Sequence, residues 1–199
     1  MKFKKIKSTI NRGFTMIELL IVIAVLGILA IAVLATINPI EQINRGRDTG
    51  SRGDAEQLLS AIDRYNATQG LWPWQIDTDA EASVGWGPAT EVDDDDSCLL
   101  LDKLAQGGTT CDSGADEVKA AFSTRLNASN YNELYMEYAG GSGDSLYICF
   151  SPQSGAFETE ATRRCDVEGV PDDYPGDACG SCDALTGALG DSENCICLP

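Results

Sequence analysis

The chain has 199 residues, 14 of them basic and 31 acidic, for a formal net charge of −17. That length gives room for one domain plus appendages. It contains no histidine, which excludes Ser-His-Asp triads, Cys-His dyads and histidine metal sites. No residue spacing points to a Ser-Lys or paired-carboxylate device in their place, so an enzyme is not expected.

The charge is unevenly spread. Five basic residues, Lys2, Lys4, Lys5, Lys7 and Arg12, fall in residues 1–13 without an acid, so the remaining nine basic and 31 acidic residues leave the rest of the chain at −22. Such a body repels nucleic-acid backbones and anionic headgroups, and no direct nucleic-acid binding is expected.

Leu19 to Ala35 reads LLIVIAVLGILAIAVLA, seventeen residues with no polar side chain. With Ile17, Glu18, Thr36 and Ile37 the segment reaches 21 residues, about 31 Å as a helix and close to one hydrocarbon core. Apolar side chains surround it on every side, so it is not an amphipathic surface helix. The basic cluster before it places the N-terminus in the cytoplasm and the body outside. An ordinary cleaved secretory signal fits poorly, because Thr36-Ile37-Asn38-Pro39 follows instead of a small-residue cleavage site.

Before the apolar run stands Arg12-Gly13-Phe14-Thr15-Met16-Ile17-Glu18. This string resembles the class III signal of type IV prepilins and pseudopilins. The resemblance implies a leader of residues 1–13, cleaved by a prepilin peptidase between Gly13 and Phe14. It implies N-methylation of Phe14, with Glu18 as the fifth mature residue. The likeness is specific over residues 1–37 and architectural beyond.

A charge at mid-membrane costs about 2.5–3.5 kcal/mol on insertion scales, and less near the edge. Glu18 therefore has a bland reading, as a tolerated interfacial residue. In its functional reading the amine created at Phe14 and the Glu18 carboxylate compensate each other when helices pack side by side. Pairing between neighbours favours one axial offset and makes Glu18 an assembly residue. Pairing with Phe14 of its own chain is the alternative. Gly27 allows close helix approach or is merely tolerated. One long helix is expected over about 14–69, weakened by Pro39 and by glycines at 46, 50 and 53.

In the exported body, Leu58, Leu59, Ile62 and Tyr65 form an apolar helix face suited to a sheet, and Gly70 is the helix stop. Arg52-Gly53-Asp54, at the start of this packed stretch, is a chance string. Trp72 and Trp74 belong to the core or its rim, and loop follows through Asp96. Short helices are expected at 97–106 and 116–127. A hairpin is expected from 132–138 and 146–150 around a glycine-rich turn. Residues 154–164 suit a helix or a third strand, and from about 166 the tail has little regular structure.

The fold class is thus α+β. A long N-terminal helix, its apolar half in the membrane or filament core, packs its other half on a small antiparallel sheet with a disulfide-rich tail. The domain boundaries are 1–13, 14–37, 38–69 and 70–199.

Eight cysteines, Cys98, Cys111, Cys149, Cys165, Cys179, Cys182, Cys195 and Cys197, lie beyond the membrane segment. In an exported region they read as disulfides. The competing reading is a metal knot of Cys179, Cys182, Cys195 and Cys197. The preferred pairing is Cys98–Cys111, Cys149–Cys165, and 179/182 with 195/197. Asp93, Asp94, Asp95 and Asp96 read as a solvated loop. Some pseudopilins bind calcium in a loop of the globular domain, so these residues, or Asp172, Asp173 and Asp177, are weak calcium candidates. No EF-hand spacing occurs, and no other cofactor is expected. Asn66-Ala-Thr68 and Asn127-Ala-Ser129 match a glycosylation string and receive no role.

The resemblance implies a structural subunit of a type IV pilus-like filament serving adhesion, twitching motility or DNA uptake. Its partners are identical or related pilin subunits, the peptidase, and the cytoplasmic membrane before assembly. The alternatives are a type II secretion pseudopilin and an uncleaved single-pass surface binding protein.

Overall fold

The computed structural model describes residues 13–36, 38–78, 81–94, 98–105, 111, 114–128, 131–166, 170–180, 182 and 194–199. The chain divides into two units, residues 1–39 and residues 40–199.

In the first unit the apolar run forms helix α1, Met16–Thr36. Every α1 residue whose side chain is described is exposed. The single helix expected over 14–69 is instead two, because α2 begins afresh at Pro39 and runs to Gln69. Proline lacks the N–H that a continuing helix needs, while its fixed φ suits a first helical position.

The second unit is organised by α2. Asp48, Ser51, Ala55, Leu58, Ala61, Ile62 and Tyr65 are buried along one face, the spacing of three and four that a helical stripe requires. Leu59, expected on that stripe, is half-buried at its edge. The helix stops where expected: Gly70 takes φ +73° and its N–H donates to the Asn66 carbonyl at 2.8 Å. That is the left-handed closure glycine makes at little cost.

Strands β1 (Val84–Pro88), β2 (Leu134–Tyr138), β3 (Tyr147–Phe150) and β4 (Ile196–Leu198) form an antiparallel sheet in the order β1-β2-β3-β4. Strand alternation gives the sheet two apolar faces. Leu134, Met136, Ile148, Phe150 and Ile196 join Ala55, Leu58 and Ile62 of α2 in the main core. Tyr135, Tyr147, Cys149 and Cys197 form a second cluster with Ala178, Cys182 and Cys195. Short helices α3 (Leu100–Leu104) and α4 (Ala120–Leu126) add Leu100, Leu101, Leu104, Phe122 and Leu126 to the main core. Residues 154–164 resolve as a helix, α5, Gly155–Asp166.

The stretch from 75 to 96, expected as loop, is corrected here, since Val84-Gly-Trp-Gly-Pro88 forms edge strand β1. Its two glycines and proline hide the alternation that marks a strand. The tail beyond 166 has little regular structure, as expected, but among its described residues it holds a 3-10 turn at Gly176–Ala178 and the strand β4 that completes the sheet.

Candidate processing and assembly site

The chain enters α1 through a local hydrogen-bond arrangement. Gly13, Phe14 and Thr15 are non-helical and Met16 is the first helical residue. The Thr15 N–H and hydroxyl donate to Glu18 Oε2 at 2.9 and 2.7 Å, and the Glu18 N–H donates back to Thr15 Oγ1 at 3.3 Å. This is a reciprocal capping box, with threonine at the N-cap and glutamate three residues on. The Thr15-x-x-Glu18 spacing is its signature, a role the charge of Glu18 does not announce. The carboxylate also sits at the positive end of the α1 dipole.

Phe14 is 81% exposed. At Gly13 an added Cβ would meet nothing within 4 Å, and the backbone does not take positive φ. Neither space nor conformation demands glycine there, so the folded chain itself gives no reason for it. Gly27 is equally open. Among the described residues, Met16–Leu34 is the one helix long and apolar enough to cross a membrane, and none of it is buried. Leaving so many large aliphatic side chains in water costs on the order of 30 kcal/mol, so lipid or other helices must cover it.

The eight cysteines form four disulfides, Cys98–Cys111, Cys149–Cys197, Cys165–Cys179 and Cys182–Cys195. Cys98–Cys111 matches the expected pair and Cys182–Cys195 falls within the expected joining of 179/182 to 195/197, while Cys149–Cys197 and Cys165–Cys179 correct the expected Cys149–Cys165. Cys149 cannot serve Cys165 because β4 pairs with β3 and places Cys197 directly opposite Cys149. Cys165, at the end of α5, is bonded instead to Cys179. No thiol is free for a metal knot.

The acidic candidates are dispersed. Asp94 is buried and its Oδ2 receives Lys103 Nζ at 2.8 Å, while its Oδ1 accepts the Cys98 N–H at 2.9 Å. Asp93 is exposed and bridges to Leu99 by backbone. Asp95 and Asp96 lie outside the described residues. Asp173 accepts the Ser145 N–H at 2.6 Å and the Tyr147 hydroxyl at 3.2 Å. The Ser145 bond is the main reason its carboxyl is held below the usual range. Asp172 and Asp177 are exposed. Among the described residues no three Asp, Glu or Cys side chains are grouped to hold a metal ion.

Arg52 and Asp54 are engaged internally, Arg52 with Glu160 at 2.6 Å and Asp54 with Arg125 and, at 2.7 Å, with the Tyr131 hydroxyl. Trp72 and Trp74 stack at 5.2 Å and lean on Tyr138, so they close one end of the core.

Residues 9–34 match the family profile described as the prokaryotic N-terminal methylation motif. The match covers 26 of the 199 residues and brackets Gly13, Phe14, Glu18 and most of α1. The chain therefore carries an N-terminal signal of the kind that directs methylation. More particularly, it carries the class III prepilin signal of type IV pilins and pseudopilins. No curated protein and no solved structure matches the chain.

Proposed function

We propose that this chain is the structural, non-catalytic subunit of a type IV pilus-like filament. The precursor is held in the cytoplasmic membrane by α1, with residues 1–13 on the cytoplasmic side. A prepilin peptidase cuts between Gly13 and Phe14, Phe14 is N-methylated, and α1 passes from lipid into a bundle of α1 helices from other copies. The body is carried outside on the filament surface, where the disulfides resist unfolding under pull.

The observation that carries this reading is an apolar helix of 21 residues, exposed wherever its side chains are described, and entered directly from the methylation motif. Keeping such a rod after trimming its basic leader is useless to a soluble product and necessary to a polymer built on rods. Glycine at 13 without a structural demand supports an outside reader of the sequence, as a peptidase would be. Glu18 supports the register role because an uncompensated carboxylate among packed apolar helices is strongly unfavourable. A neighbour's Phe14 amine supplies the compensation.

N-terminal mass spectrometry of the protein extracted from surface filaments tests the proposal. A mature chain starting at N-methylated Phe14 is expected. An intact Met1 in membrane extracts, with no filament, would establish the tethered binding protein instead. Incorporation only into a secretion apparatus would establish the pseudopilin.

A further inference from the structure

A cavity of about 430 Å³ opens between α5, the segment Val170–Tyr174 and β4. That size falls in the range of small-molecule sites. We propose that it binds a small amphipathic carboxylate, an aromatic ring carrying one anionic head on a short chain.

The walls supply the apolar half. Tyr147 and Tyr174 meet edge to face at 5.4 Å, and Val170, Pro171 and Pro199 complete the lining. Aromatic edges and proline rings accept a flat ring well.

The polar half is set by what is already spent and what is not. Glu160, which also lines the cavity, has its Oε1 held by Arg52 at 2.6 Å and by Arg164 at 3.0 Å. Arg164 also donates to the Cys197 carbonyl at 2.7 Å. Arg163 also lines the cavity, yet it makes no hydrogen bond or ion pair among the described residues. The buried Tyr174 hydroxyl likewise has no partner among the described residues. An unclaimed guanidinium and an unclaimed hydroxyl beside an apolar cavity are complementary to a carboxylate on an apolar ring. A cation would be repelled by the Arg163 guanidinium, and a neutral sugar would gain nothing from its charge.

The test titrates 4-fluorophenylacetate into the full chain in lipid nanodiscs, read by fluorine NMR, with empty nanodiscs as the partition control. The neutral analogue 2-(4-fluorophenyl)ethanol is titrated in parallel. Saturable binding of the acid is expected, at least about tenfold tighter than the alcohol. Arg163→Gln, at an exposed residue without partners, leaves the fold intact and weakens acid binding about tenfold. Tyr174→Phe keeps the ring and weakens it several-fold. Absence of saturable binding overturns the proposal, as does equal affinity for acid and alcohol. So does acid binding untouched by Arg163→Gln.

Discussion

The Asp48 carboxylate, fully buried in α2, accepts hydrogen bonds from both the N–H and the hydroxyl of Ser154, at 2.9 and 2.6 Å, across 106 residues of sequence. Its other oxygen takes the Gln153 N–H at 2.9 Å. Ser154 immediately precedes α5, so a side chain of one helix satisfies backbone donors at the start of another. Glu41 does the same for the Gly155 N–H at 3.3 Å. The polar first half of α2 is thereby fastened to the body without apolar packing.

Asp48→Ala should therefore cost about 3 kcal/mol, because three donors lose a charged acceptor in a buried setting. Asp48→Asn keeps one acceptor oxygen and should cost less. Urea unfolding of the detergent-extracted protein, followed by tryptophan fluorescence, measures both. Equal midpoints for wild type and the alanine variant would remove Asp48 from this role.

Cys149–Cys197 closes the widest separation of the four bridges, 48 residues, against 13 for Cys98–Cys111. In the chain-entropy account the longer loop contributes about 4 kcal/mol and the shorter about 3. Replacing Cys149 and Cys197 together by alanine should produce the larger loss and loosen β4, exposing the C-terminus to carboxypeptidase. Replacing Cys98 and Cys111 should leave β4 protected.

Some of this fold was legible because the signal is local. The α1 run needs only composition, and the hairpin of β2 and β3 needs only two apolar stretches around a glycine-rich turn. The face of α2 was half legible: Leu58, Ile62 and Tyr65 repeat at helical spacing, but Asp48 and Ser51 continue the stripe with polar residues. Burial of Asp48 depends on a partner 106 residues away, and no periodicity reports that. Strand β4 has three residues and owes its place to its pairing with β3 and to Cys197. The partner of Cys149 was misread for the same reason, since Cys197 reaches it only across the β3–β4 pairing, and Cys165 was left for Cys179 in consequence. At the start of α1 the Thr15-x-x-Glu18 box was legible as spacing alone, because both of its partners lie within one helical turn.

Asp94 and Lys103 form a pair with side chains only 5% and 2% exposed. Asp94→Asn preserves an acceptor for the Cys98 N–H but leaves a buried ammonium unpaired, at a cost of about 3–5 kcal/mol. The double variant Asp94→Leu, Lys103→Met removes both charges and should recover most of that loss. Thermal melts of the two variants against wild type decide it.

Burial first, and a hydrogen-bonded carboxylate second, push the hydroxyls of Tyr131 and Tyr135 above the ordinary tyrosine value of 10.0. Their partners are Asp54 at 2.7 Å and Glu133 at 2.9 Å. Below that value both hydroxyls are protonated whether the chain is folded or not, and their contribution to stability is complete. Above it the unfolded chain ionises first, so rising pH favours unfolding until the folded hydroxyls titrate. The urea midpoint should fall once pH exceeds about 10, and tyrosinate absorbance should appear together with unfolding. The double variant Tyr131→Phe, Tyr135→Phe should flatten that fall.

Glu18 caps α1, and separate substitutions divide that role from the proposed pairing with a neighbour's amine. Glutamine at this position can still accept from the Thr15 N–H, so Glu18→Gln retains much of the capping box while abolishing the charge. Glu18→Ala loses both, and Thr15→Val loses the hydroxyl while keeping the carboxylate. An N-cap is worth about 0.5–2 kcal/mol, small beside the burial of the apolar rod in lipid. Membrane insertion and cleavage after Gly13 should therefore be normal in all three. If register depends, as proposed, on a charge answering a neighbour's amine, filament yield should collapse in Glu18→Ala and in Glu18→Gln, and fall only modestly in Thr15→Val. Quantifying sheared filaments against membrane-retained subunit gives the ratio. Wild-type yield from Glu18→Gln would show that the carboxylate serves the helix start alone.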